Sequence, residues 1–146
     1  MEASFTLELS LDWRIQRLSA RSSVGAERQS VDLWRDETQG WTDSGGPRPD
    51  LLGCCDVVIA WTPFTNTLPI RRLRLPPGQQ QEIRVVYVAV PDLTVRSVRQ
   101  RYTHRAEGRW FYESLESGYT AELTVDEEGL VVEYPALFRR IAVHRT

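Results

Sequence analysis

Six polar side chains crowd one short stretch and its approach: Asp56, then Thr65, Asn66, Thr67, Arg71 and Arg72. A carboxylate, two hydroxyls, a carboxamide and two guanidiniums can grip a polar ligand from several sides, as the few placed polar groups of a binding pocket do. The same six can instead satisfy one another as an internal hydrogen-bond network, with Asp56 paired to an Arg, because buried polar groups are normally partnered. Either way, other elements must enclose the segment.

A second set interleaves cations with rings. Arg96, Arg99, Arg101 and Arg105 lie beside Tyr102, His104, Trp110, Phe111 and Tyr112. Guanidiniums among aromatics can stack on bases or sugars. They also suit a strand whose charged face is solvated and whose rings pack inward. Arg71, Arg72 and Arg74 form a further basic cluster, able to meet an anionic headgroup or an acid such as Glu82. All 18 basic residues of the chain are Arg, whose planar fork suits bidentate contacts to carboxylate and phosphate.

Catalytic patterns are weak. The two histidines, His104 and His144, belong to no zinc-protease, nucleophile-elbow or phosphate-loop motif. Asp126-Glu127-Glu128 reads as a hairpin tip and Asp92, after Pro91, as a turn residue. Cys54 and Cys55 are adjacent and have no other cysteine to pair with, so a disulfide framework within the chain is excluded. No catalytic residue, metal ligand or cofactor is assigned. A hydrolase working through Asp56 or His104 ranks behind a binding role.

The charge balance narrows the partners. The net charge is −2, which argues against a protein held to nucleic acid by bulk electrostatics. No apolar run approaches the ~20 residues of a membrane-spanning helix. The N-terminus has no signal-peptide pattern. Unpaired cysteines suit a reducing compartment, and a cytoplasmic protein is expected.

The elements that must position these groups are mostly strands. Phe5, Leu7, Leu9, Leu11, Trp13 and Ile15 share one parity, with polar residues between them. This predicts one long half-buried strand with a bulge or turn at Arg17-Leu18. Cys54 to Trp61 and Val85 to Val90 are apolar on both parities, as for strands covered on both faces. Gly40, Gly108 and Gly129 each close a short polar stretch and predict reversals. Ser44 to Pro49 reads as a loop. Only Thr62 to Leu73 reads as helical, with Thr62 as cap, Pro63 in the first turn and Pro69 as a distortion.

Three blocks carry a resemblance. They are Gly53-Cys54-Cys55-Asp56-Val57 with Thr62-Pro63-Phe64-Thr65-Asn66-Thr67-Leu68-Pro69-Ile70-Arg71-Arg72-Leu73; Val90-Pro91-Asp92-Leu93 with Gln100-Arg101-Tyr102; and Asp126 to Pro135 with Leu137-Phe138-Arg139-Arg140. Over nearly its whole length the chain resembles the bacterial "putative glycolipid-binding" family, also described as the spiral β-roll family. The resemblance implies a mainly β fold: a many-stranded, largely antiparallel sheet wrapped around a single short helix, with residues 1–146 as one domain. It adds Gln100, Arg101 and Tyr102 to the candidate ligand-binding residues. It implies a glycolipid or other amphiphile as ligand and a homodimer as assembly. Family members carry further N-terminal strands before the one matching Phe5 to Leu11, so an open sheet edge is expected here. A protein–protein interaction module without small-molecule ligand is the alternative. A lipid ligand further requires an apolar cavity, because a dozen buried methylenes contribute about 10 kcal/mol against an association cost on the order of 4–15 kcal/mol.

Overall fold

The computed structural model describes residues 2–36, 38, 40–60, 64–134 and 138–139. These residues form a mainly β protein with one α-helix, the class the sequence implies. The strands β1 (Glu2–Leu9), β2 (Ile15–Val24), β3 (Glu27–Asp36), β4 (Gly40–Asp43) and β5 (Gly46–Pro47) make a five-stranded antiparallel sheet in chain order. Then follow β6 (Cys54–Ile59), the helix α1 (Phe64–Leu73), β7 (Gln80–Val88), β8 (Val95–Ala106), β9 (Arg109–Ser114), β10 (Thr120–Val125), β11 (Val131–Tyr134) and β12 (Phe138–Arg139). They form a seven-stranded sheet in the order β12-β11-β10-β9-β8-β7-β6. Strands β6 and β7 pair in parallel, and α1 lies in their connection, as parallel pairing requires a long crossover.

The chain divides into two compact units. One comprises Met1–Trp61 with Arg84–Val98, the other Thr62–Ile83 with Arg99–Thr146. In the first unit, the β1–β2–β3 register gives the sheet two unlike faces. Phe5, Ala20 and Val31 lie opposite one another on one face, with Leu7, Leu18 and Leu33 two residues on. Leu18, Ala20 and Leu33 are buried there, and so are Ile15 and Trp41. The other face reads Ser4, Arg21, Ser30, then Thr6, Ser19, Asp32. Both faces follow from the period of two along each strand. The β6–β7 pair is buried through Val57, Ile59, Val85, Val86 and Val88, the two-sided burial its sequence predicts.

The expected long strand from Phe5 to Ile15 is two strands. The chain turns at Ser10–Arg14, where Ser10 N–H donates to the Arg14 carbonyl at 2.8 Å. The Asp12 carboxylate accepts from the Ser10 hydroxyl and, at 3.0 Å, from Arg14 Nε. Short polar side chains that bond their own backbone neighbourhood favour a turn over extended pairing. Leu11 is fully exposed and Trp13 takes φ 66°, so their apolar parity misled. The register shifts between Glu8 and Leu9, whose partners are Arg17 and Ile15, so the extra residue is Gln16, beside the expected Arg17-Leu18. Ser44 to Pro49 is more ordered than a loop: Thr42 pairs with Pro47 and Asp43 with Gly46. The reversals at Gly40, Gly108 and Gly129 stand where expected, with φ of 84°, 72° and 81°.

In the second unit, strands β8 to β10 present one face carrying Tyr102, Trp110, Tyr112, Ala121, Leu123 and Val125, all buried. Leu68 and Ile70 of α1 are buried too. The helix is continuous through Pro69, so the expected distortion is small enough to keep one element. Thr62 and Pro63, read as its cap and first turn, lie outside the described residues.

Candidate functional site

The polar residues of α1 are enclosed, as both readings required. Thr65, Asn66 and Thr67 are 1%, 6% and 0% exposed. Asn66 Nδ2 donates to the Tyr102 phenol oxygen at 2.9 Å. Thr67 Oγ1 donates to the Gly129 carbonyl at 2.8 Å, and Arg71 Nη1 donates to the Glu128 carbonyl at 2.5 Å. Arg71 and Arg72 are half-buried. Gly129 sits close: a Cβ there would stand 3.1 Å from Arg71 Cγ, at a φ of 81°. The β10–β11 reversal thus receives two bonds from one helix face, which pins α1 to that hairpin.

Strand β8 completes the cluster. Tyr102 and Tyr112 are opposed across the β8–β9 ladder, with ring centroids 5.4 Å apart. Gln100 is 1% exposed and its Nε2 donates to the Tyr112 phenol at 2.8 Å, while its Oε1 is buried without a partner. Alternation along the strand sends Arg101 to the opposite face. There it forms a bidentate pair with Glu113, at 3.0 and 2.7 Å, and that guanidinium holds the Glu113 carboxyl below its ordinary range. The structure therefore brings Asn66, Tyr102 and Gln100 together as an interior network and leaves Arg101 out of it. Asp56 is buried on β6, in the first unit.

The basic–aromatic stretch is a paired outer face. Arg99 lies 3.4 Å from Glu82 and Arg105 3.1 Å from Glu122. Arg105 also covers the Phe111 ring at 4.4 Å and Arg96 the Tyr87 ring at 5.4 Å. These cations already have acids or rings. His104 stacks on Trp110 at 4.4 Å and its Nδ1 donates to the Leu75 carbonyl at 2.7 Å. Among the described residues, no group of three metal-ligating side chains is found. Burial pushes the Cys54 thiol up; Cys55 is half-exposed, with an Arg35 nitrogen 3.9 Å from its sulfur. His144 lies outside the described residues.

An open cavity occurs elsewhere, in the first unit, at the ends of β1, β2 and β3. It is a groove of about 1170 Å³ lined chiefly by polar groups, among them Ser4, Arg21, Ser23, Arg28, Gln29 and Ser30. Its volume lies above that of typical ligand sites, about 300–1,000 Å³, as suits an open groove. Gly25, with φ 59°, makes the reversal that brings Ser23 opposite Arg28 and Arg21 opposite Ser30. Ser22 is 5% exposed and donates to the Pro91 carbonyl, tying this end of β2 to the segment before β8. None of the candidate residues read from the sequence lines this groove. One signal was available: small hydroxyls and guanidiniums recur on both sides of Gly25, where a hairpin with Gly at its first turn position places them side by side.

The family model described as "Putative glycolipid-binding" matches residues 1–140. The chain belongs to this family. A solved relative, the crystal structure of a DUF1089 family protein from Pseudomonas aeruginosa, is 40% identical and superposes with a TM-score of 0.90. The match covers 95% of this chain and 77% of that one. No curated protein matches. The family's mainly β fold is thus found here on a close structural relative. No helix among the described residues is long and apolar enough to cross a membrane.

Proposed function

We propose that this glycolipid-binding family member is a non-catalytic binding protein that holds the hydroxylated head of an amphiphile in the β1–β3 groove. The observation that carries the reading is the groove's lining: serine hydroxyls, a glutamine amide, guanidiniums and the Glu2 carboxylate around about 1170 Å³. Hydroxyls and amides both donate and accept, as a sugar's hydroxyls require. The lining lacks the large apolar side chains that a lipid tail needs, so the tail stays in its own membrane or micelle while the head is read. The interior cluster of Asn66, Tyr102, Gln100 and Tyr112 then serves as structure. Its bonds are made within the protein.

The test is a block. Ser30 is exposed on β3 within the groove, and a large ring is tolerated on a strand face. Ser30→Trp is expected to weaken binding to phosphatidylcholine vesicles carrying a neutral galactosyl lipid at least tenfold, measured by co-sedimentation, with the unfolding midpoint unchanged. Equal binding by both proteins would remove the groove from the account.

A second reading has its own observation. Strand β1 ends the five-stranded sheet, and its outer edge carries no partner strand among the described residues. Open edges invite pairing with another chain, and a homodimer through β1 would cover this one. Light scattering across concentration is expected to give twice the chain mass; a monomer at every concentration would refute it.

A further inference from the structure

The β2–β3 ladder sets two guanidiniums on one diagonal. Ser23 faces Arg28 and Arg21 faces Ser30. The two pairs are two residues apart, so all four side chains share one face. Arg21 and Arg28 occupy one diagonal of this square, Ser23 and Ser30 the other. Diagonal neighbours on a sheet lie about 7–8 Å apart, within reach of one shared anion for two long side chains. Like charges this close repel, and an anion between them removes the repulsion.

Two other cations of this unit have acids beside them. Arg17 lies 3.3 Å from Asp32, and Arg48 lies 3.0 and 2.8 Å from Asp43 and Asp50. Arg21 and Arg28 are both exposed, both line the groove, and neither forms an ion pair among the described residues. Of the acids nearest by register, one is engaged and one lies within the groove. Asp32, diagonal to Arg21, already accepts from Ser19 and Arg17. Glu2 lines the groove, faces Ser23 from β1 and lies diagonal to Arg21, and it forms no ion pair with either guanidinium among the described residues.

We infer that the head held in this groove is anionic: a phosphate, sulfate or carboxylate borne on a hydroxylated group, its charge between Arg21 and Arg28 and its hydroxyls on Ser23 and Ser30. The inference rests on the groove reading above and adds its charge selectivity. Two cations with a net protein charge of −2 suit a single anionic group and not the long phosphate track of a nucleic acid.

The experiment compares galactose 3-sulfate with galactose in solution, and vesicles carrying the sulfated galactosyl lipid with vesicles carrying the neutral one. Wild-type protein is expected to bind the sulfated member at least tenfold tighter in whichever format binds. Soluble binding identifies a free head as sufficient, and binding on vesicles alone identifies a lipid-borne head. The double variant Arg21→Gln/Arg28→Gln, which breaks no ion pair among the described residues, is expected to lose that tenfold preference. Equal affinity of wild type for sulfated and neutral heads overturns the charge inference and leaves the groove reading standing. A preference that survives the double variant overturns it too. No binding of any of the four probes overturns both.

Discussion

Trp41→Ala is expected to leave the protein close to unfolded at room temperature. The indole is 1% exposed on β4, and its Nε1 donates to the Cys54 carbonyl at 2.8 Å. Deleting a buried aromatic ring costs about 3–5 kcal/mol through lost transfer energy and the void left behind. The stranded carbonyl adds about 1–3 kcal/mol. Together these approach the whole stability of a domain, about 5–15 kcal/mol. Trp41→Phe separates the two contributions, since it keeps most of the apolar area and loses the donor. Urea unfolding followed by circular dichroism should place Phe between wild type and Ala. An Ala variant with a wild-type midpoint would show that the first unit does not depend on this ring.

The second large effect falls in the other unit. Tyr102 is fully buried, lies at a tilt 5.4 Å from the Tyr112 ring and accepts from Asn66 at 2.9 Å. Tyr102→Ala is expected to cost about 3–5 kcal/mol. Tyr102→Phe keeps the ring and strands the Asn66 amide, at about 1–3 kcal/mol. A cycle with Asn66→Ala should show coupling of about 0.5–3 kcal/mol, as for directly bonded neighbours. Binding to galactosyl-lipid vesicles should be unchanged in Tyr102→Phe wherever it remains folded. A loss of binding without a loss of stability would return Asn66 and Tyr102 to the ligand site.

Much of this architecture was legible in the residues, and the reasons are specific. The two-sided strands β6 and β7 announced themselves by apolar residues on both parities. Gly108 and Gly129 marked reversals because a left-handed backbone is needed there. The helix was readable from Thr62 as cap and Pro63 as first-turn residue, and the burial of Thr65, Asn66 and Thr67 followed from its need for cover. The turn at Ser10–Arg14 was hidden because Leu11 and Trp13 continue the strand's parity, while the side-chain bonds of Ser10 and Asp12 decide the outcome. The groove was missed for a related reason. Clustered polar residues within one segment draw attention, yet Asn66, Thr67 and Gln100 spend their donors on Tyr102, Gly129 and Tyr112. The groove residues come from three strands. Only the register, Ser4 to Arg21 and Arg21 to Ser30, makes them neighbours.

The most direct measurement is the map of backbone amide shifts when galactose 3-sulfate is titrated into isotope-labelled protein. The account predicts saturable shifts confined to residues 2–4, 21–25 and 28–30. Shifts centred instead on residues 65–72 and 100–102, with the ends of β1 to β3 silent, would contradict it.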